Sequence, residues 1–188
     1  MKNPELETFI KDVEQIVHEG GTEEALTGKI AERMRHLLQN DNVLPLQYRQ
    51  PNPKYALYPL YVADDESFSV AAAVWDVGQS TPVHDHGTWG VIGVVQGTEH
   101  EIQYTSPSNE NEELITCNDR YIQKGEVVVC CSSEQDLHKV QCASENPCVG
   151  IHVYGGNIGK IERHIYDPHT GKKRASVSPW VPVPSLPQ

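Results

Sequence analysis

The sequence lacks a long apolar run and a cluster of basic residues. No stretch is apolar over the ~20 residues that a membrane-spanning helix needs, and the N-terminus has no apolar segment of the kind that directs secretion. Fifteen lysines and arginines stand against 26 aspartates and glutamates, for a net charge of −11. Because nucleic acids and anionic membranes attract basic surfaces, we expect neither as a partner. We expect a cytoplasmic protein.

The chain also lacks paired cysteines. Its five cysteines are an odd number, and none belongs to a CxxC motif, which argues against a disulfide framework and a zinc–thiolate site. We expect most of them to be buried as small apolar side chains in a reducing compartment. A chain of 188 residues can bury one sizeable core without such crosslinks.

Apolar spacing predicts two helices followed by short strands. Residues 4–18 repeat apolar side chains at helical intervals until a glycine pair ends the pattern, and a second helix is expected from Thr22 to about Asn40. From Leu44 onward the pattern changes to some eight short apolar or alternating runs broken by turn residues. The prediction is a mainly β protein, a sandwich or a closed barrel, with two N-terminal helices.

The same pattern divides the single domain into three segments. Residues 1–43 are the helical segment, residues 44–172 the barrel, and residues 173–188 a proline-rich C-terminal arm. Because proline cannot donate a ladder hydrogen bond, we expect the arm to be extended, packed on the barrel or reaching a neighbouring subunit. We expect a monomer or a weak homo-oligomer.

Three histidines have the arrangement of a metal site. His84 and His86 are two residues apart in a strand-forming segment, so both imidazoles can point into a barrel from one face of a strand. Two imidazoles cannot complete a site alone. His138, after a later predicted strand, offers the third ligand.

The spacing of these residues resembles the cupin superfamily. Gly78 begins the motif G-x5-H-x-H, and Gly97 follows eleven residues after the second histidine. The resemblance implies a double-stranded β-helix, or jelly-roll, barrel with a central metal ion. Most cupins carry a glutamate ligand shortly after the HxH motif, and that position is Gly90 here.

A three-histidine site without this glutamate is similar to the thiol dioxygenases, which include cysteine dioxygenase and 3-mercaptopropionate dioxygenase. That resemblance implies Fe(II) as the cofactor and oxidation of a thiol to a sulfinic acid by O2. The family's S-x-H-x-Y element corresponds to residues 150–154, so His152 and Tyr154 are implied as a catalytic, hydrogen-bonded pair. The serine position is Gly150, and the cysteine that mammalian enzymes crosslink to the tyrosine corresponds to Gly90.

The resemblance also suggests how the substrate is held. Leu57 stands where the cysteine enzymes have a carboxylate-binding arginine. Arg163, nine residues after Tyr154, matches the arginine of the bacterial mercaptopropionate enzymes and can hold a carboxylate by two parallel hydrogen bonds. Tyr58 and Trp89 are expected in the substrate-pocket walls.

The sequence therefore predicts a non-haem Fe(II) dioxygenase of a small thiol carboxylic acid, 3-mercaptopropionate being the best candidate. A cysteine dioxygenase, or a dioxygenase of another thiol acid such as mercaptosuccinate, is the first alternative. The second is a non-catalytic cupin that binds a small ligand or a different metal ion, because barrels of this kind host many functions.

Overall fold

The computed structural model describes residues 3–105, 112–132 and 136–185. Two helices, α1 (Pro4–Glu19) and α2 (Glu23–Leu37), are followed by one short 3-10 turn (Leu46–Arg49). The strands of the described chain are β1 (Ala56–Val62), β2 (Ser69–Trp75), β3 (Val83–His84), β4 (Gly90–Gln96), β5 (Thr98–Tyr104), β6 (Thr116–Gln123), β7 (Val127–Cys130), β8 (Leu137–Cys142), β9 (Cys148–Tyr154), β10 (Arg163–Tyr166) and β11 (Lys173–Ser176).

Both helices start where the sequence supplies a cap. The Asn3 side chain accepts hydrogen bonds from the first backbone N–H groups of α1, and the Thr22 hydroxyl accepts one at the start of α2. Gly20, with a φ of 70°, ends α1. Helix α2 ends at Leu37, three residues before the predicted end near Asn40. Backbone hydrogen bonds between residues three apart, in place of four, close its last turn.

The strands form two antiparallel sheets, and the two sheets together form the barrel. One has the order β1-β2-β9-β4-β7 and the other β11-β10-β3-β8-β5-β6. Helix α2 packs on the outer face of the first sheet, where a Cβ atom at Gly93 would lie only 2.7 Å from the Met34 side chain. The predicted mainly β class, a jelly-roll barrel with two N-terminal helices, is confirmed.

The C-terminal part differs from its prediction. Residues 173–176 form β11, which pairs with β10 in the barrel sheet, so the irregular arm begins at Val177. Neither β10 nor β11 stood out in the sequence, because each has only four residues and little apolar alternation. In the described residues, no helix combines the length and apolar character needed to cross a membrane.

Candidate metal centre

The three predicted metal ligands meet inside the barrel. His84 ends β3 and lies directly opposite His138 of β8 in the strand register, while His86 follows two residues later. The ring centroids are 4.7–5.1 Å apart, and one nitrogen of each ring lies within 4.8 Å of the others. All three side chains are buried.

The Nδ1 atom of each imidazole already has a partner that points the ring. The contacts are His84 Nδ1 with the Pro82 carbonyl at 3.0 Å, His86 Nδ1 with Asp136 Oδ2 at 2.5 Å, and His138 Nδ1 with Glu101 Oε1 at 2.7 Å. With Nδ1–H donating in each case, the Nε2 lone pairs are left for a metal ion. Such outer contacts fix the tautomer of a ligating histidine and raise its basicity.

The residues fit a metal ion. His138 Nε2 is buried and has no hydrogen-bond partner, which is costly unless a ligand occupies it. Burial holds the pKa of His84 and of His86 well below the usual value, so both are neutral, the form that binds metal. Three imidazoles suit Fe, Zn, Cu or Ni. His86, Cys130 and Asp136 also cluster. In that cluster Asp136 accepts the hydrogen bond from His86 Nδ1 that orients the ring.

Glu101 supports His138 and is itself paired. Its second carboxylate oxygen accepts a hydrogen bond from Arg120 Nε at 2.6 Å. Burial alone would raise the pKa of this carboxyl, but the hydrogen bond with His138 and the charge of Arg120 outweigh it and lower the pKa. Glu101 is therefore ionised and holds the imidazole of His138 in place.

His152 and Tyr154 form the hydrogen-bonded pair that the sequence predicts. Both project from β9 into the barrel, with 2.9 Å between His152 Nδ1 and the Tyr154 oxygen. The Tyr154 ring lies 5.5 Å from the ring of His86. Burial raises the pKa of Tyr154 and lowers the pKa of His152 to about 3, so a neutral phenol faces a neutral imidazole.

Two glycines shape the surroundings of this pair. A Cβ atom at Gly90 would lie 3.3 Å from two atoms of the Tyr154 ring, so the ring packs directly on this position. At Gly150 a Cβ atom would lie 2.7 Å from His152 Nε2. The imidazole thus occupies the space of the side chain that the family has as serine, and its Nε2 is buried without a hydrogen-bond partner.

Arg163 lines the same cavity as the three histidines. It begins β10, the strand beside β3, two residues before Ile165, which lies opposite His84. The side chain is buried, 5% exposed, and within the described residues no hydrogen bond or ion pair engages its guanidinium. Asp85 anchors this strand, since its carboxylate accepts hydrogen bonds from the backbone and ring of His164.

Tyr58 and Trp89 do not line the cavity, contrary to the pocket-wall prediction. Tyr58 follows the inward-facing Leu57 and therefore points outward, under the helices, where its hydroxyl donates to the Gln50 carbonyl. The Trp89 ring packs closely over Gly155 and against the outer core. Strand alternation, applied from Leu57, would have found Tyr55 instead.

Several cavity residues escaped the sequence reasoning. The most prominent are Tyr55, Trp75, Glu99, Glu101 and Cys130. The two glutamates carried a usable signal, because polar side chains two residues apart in a strand share one face. Tyr55 carried the alternation signal from Leu57. Trp75 and Cys130 had no signal, since their positions depend on how the two sheets face each other.

Similar proteins were found by family and by structure. The family description "Cysteine dioxygenase type I" matches residues 60–167. A Klebsiella pneumoniae protein with a double-stranded β-helix domain is 11% identical, with 69% of this chain and 91% of that chain covered and a TM-score of 0.45. TT1209 from Thermus thermophilus is 18% identical, with coverages of 60% and 95% and a TM-score of 0.45. The Schizosaccharomyces pombe Cnp3 cupin domain is 10% identical, with coverages of 54% and 60% and a TM-score of 0.42.

The family match spans more than half of the chain and contains His84, His86, His138, His152 and Tyr154. A three-histidine metal site lies at the centre of the matched barrel. The chain therefore belongs to the cysteine dioxygenase type I family, and it is a thiol dioxygenase with a three-histidine metal site.

Proposed function

We propose that this enzyme uses Fe(II) and O2 to oxidise a small thiol carboxylic acid to its sulfinic acid, with 3-mercaptopropionate as the best candidate substrate. The observation that carries the proposal is Arg163, a buried cation that faces the metal cavity and has no anionic partner among the described residues. A buried charge is costly unless it is paired. A substrate carboxylate supplies that pair, and a guanidinium binds it through two parallel hydrogen bonds.

Fe(II) held by His84, His86 and His138 would supply the chemistry that joins both atoms of O2 to the thiol sulfur. Arg163 binds the carboxylate and so orients the thiol toward the histidines. Tyr154, a neutral phenol, donates a hydrogen bond to the substrate or to the incoming oxygen. Because that phenol has only one proton to donate, His152 Nδ1–H donates a hydrogen bond to the phenol oxygen and holds it in position.

Leu57 favours a thiol acid without an amino group over cysteine. It lines the cavity, and by the sequence resemblance it stands where the cysteine enzymes have their arginine, so we expect the carboxylate clamp of an amino-acid substrate to be missing there. An apolar side chain at this place suits a substrate whose carbon chain carries no amino group. A cytoplasmic location and a monomeric or weakly associated state accompany the proposal as predictions.

The test is oxygen consumption by the iron-loaded protein with 3-mercaptopropionate, cysteine, mercaptosuccinate and cysteamine. We expect 3-mercaptopropionate to give the highest kcat/KM. Arg163→Ala should lower this value about 100-fold through a raised KM, because a charge-assisted bidentate contact is lost. Arg174→Ala on the neighbouring strand β11, where the side chain is exposed, is the matched control and should leave kcat/KM unchanged.

The outcomes separate the alternatives. A preference for cysteine would refute 3-mercaptopropionate as the substrate. Equal turnover of cysteamine, which has no carboxylate, would refute the thiol-acid assignment. Preference for mercaptosuccinate would keep the thiol acid but require a site for a second carboxylate. An Arg163→Ala variant as active as Arg174→Ala would show that the carboxylate is bound elsewhere.

A further inference from the structure

The C-terminal arm, residues 177–185, lies beside the cavity, against the outer edge of β1. The backbone N–H of Val181 donates to the carbonyl of Leu57 at 2.9 Å, and the side chains of Val181 and Val183 pack on the core. The prolines of the arm lack N–H groups, so it cannot continue as a regular strand of the sheet. It covers the edge of the strand that carries Leu57 into the cavity.

The arm is seated by Trp180. Its indole Nε1 donates to Asn157 Oδ1 at 2.9 Å. The ring lies so close over Gly159 that a Cβ atom there would be 2.3 Å from Nε1. Trp180 also packs against the apolar cluster that includes Leu57 and Trp75. This close fit makes the arm a defined part of the fold rather than a loose tail.

One side chain of the arm reaches the cavity wall. Ser178 Oγ is 2.9 Å from the hydroxyl of Tyr55, and Tyr55 lines the cavity. The ring of Tyr55 stacks on Trp75 with centroids 6.5 Å apart and planes 20° from parallel. The Trp75 ring in turn lies 5.7 Å from the ring of His152, the partner of Tyr154. The two packed rings of Tyr55 and Trp75 thus connect the arm to the His152–Tyr154 pair.

We propose that the arm helps to shape the active-site cavity and that Ser178 is a positioning residue. By holding the Tyr55 hydroxyl, Ser178 fixes the aromatic wall of Tyr55 and Trp75 and thereby the space that receives the substrate. A site whose wall is anchored by hydrogen bonds keeps its geometry better than one that rests on packing alone. This inference rests on the proposed oxidation of a thiol acid and adds a residue that determines how the acid fits.

The experiment compares four single variants and one double variant of the full-length, iron-loaded enzyme with the wild type. Ser178→Ala removes the hydroxyl, Ser178→Thr keeps it, and Tyr55→Phe removes the partner hydroxyl. Ser185→Ala changes an exposed serine of the same arm and is the matched control. The double variant Ser178→Ala/Tyr55→Phe completes a mutant cycle.

We expect Ser178→Ala to raise KM for 3-mercaptopropionate about fivefold, the worth of one partly buried hydrogen bond, with kcat changed less than twofold. Ser178→Thr should restore the wild-type KM, and the double variant should be no worse than Tyr55→Phe alone. The inference is overturned by a Ser178→Ala variant with the KM of Ser185→Ala, or by additive effects of the two single changes.

A second readout needs no thiol. Amide hydrogen exchange should be faster at Val181 and across residues 55–57 in Ser178→Ala than in Ser185→Ala, because the arm loses one of its attachments. Equal exchange in both variants would also overturn the inference. A wild type that consumes no oxygen with any thiol refutes the proposed function instead, and the attachment of the arm is then judged by hydrogen exchange alone.

Discussion

Glu99 and Glu101 lie two residues apart on β5 and face the same cavity, and both are 2% exposed, yet their surroundings are opposite. Glu101 bonds to His138 and to Arg120, and its pKa is lowered. Glu99 Oε1 has no hydrogen-bond partner, and burial, with the nearby charge of Glu101, raises the pKa of Glu99 from 4.5 to about 8. One carboxyl is an anion at neutral pH and the other is a neutral acid.

The difference divides the cavity into two parts. At the metal ligands every Nδ1 atom has a partner, so the imidazoles are oriented before a metal ion arrives. The cavity walls also carry buried polar atoms without partners, Trp75 Nε1, Glu99 Oε1 and His152 Nε2. The oriented histidines favour binding of a metal ion, whereas the wall atoms without partners lower the stability of the fold.

The largest effect is expected from Glu99→Gln at high pH. Because the folded-state pKa is raised, the folded protein holds this proton more tightly than the unfolded chain does. The stability that results is complete below pH 4.5 and is lost as the pH rises through about 8. Between pH 5 and pH 9 the free energy of unfolding of the metal-free wild type should therefore fall by on the order of 3 kcal/mol more than that of Glu99→Gln.

Urea unfolding of both proteins across this pH range measures the difference. Glu101→Gln is the matched control, because the pKa of Glu101 is shifted down whereas that of Glu99 is shifted up. The stability that Glu101 contributes is lost only as the pH falls into the acid range. Parallel stability profiles for wild type and Glu99→Gln would show that Glu99 is ionised in the fold.

Removing the paired carboxylate should weaken metal binding. Glu101→Ala leaves His138 Nδ1 without its acceptor, so metal affinity should fall about 10–100-fold, or roughly 1.4–2.7 kcal/mol. Competition with a metal-sensitive dye measures the affinity. Glu99→Ala, on the same strand face, should bind metal as the wild type does. Equal losses in the two variants would mean that general disturbance of β5, and not the contact with His138, sets the affinity.

A smaller effect is expected where His152 turns its unpaired nitrogen toward Gly150. In Gly150→Ala the added Cβ would lie 2.7 Å from His152 Nε2, so the imidazole must shift and its contact with Tyr154 is disturbed, at a cost of about 1–2 kcal/mol in stability. Gly28→Ala, in α2, where a Cβ meets nothing within 4 Å, should be neutral or stabilising. Thermal unfolding and kcat of both variants test this; an unchanged kcat for Gly150→Ala would argue against a role for the His152 position.

The smallest effect is expected at the outer contact of Glu101. The Arg120 side chain is 38% exposed, so solvent screens its charge, and Arg120→Gln should cost less than about 1 kcal/mol. The difference from wild type should shrink further in 1 M salt. A loss that persists in high salt would show that Arg120 acts through its hydrogen-bond geometry and not through its charge.

Sequence patterns predicted most of the ligand set because strands alternate. His152 and Tyr154 are a pair at i and i+2 within β9, which places them on one face. His84 and His86 have the same spacing, although the structure has His86 just beyond the end of β3. The same rule exposes the error at Tyr58: next to the inward Leu57, it had to point outward. Glu101 and Asp136 were missed because their role depends on which strand lies beside His138 and which loop approaches His86.

The sequence by itself determined the two helices, the change to strand periodicity and the residues able to bind a metal, since caps, alternation and ligand chemistry are local properties of the chain. Tertiary structure alone decided that three histidines from two strands and a following turn meet within 4.8 Å, and that Glu101 is paired while Glu99 is not. It also placed Ser178 of the arm beside Tyr55, 123 residues away in the chain. Contacts of this kind depend on how the two sheets close around the barrel, which no local pattern encodes.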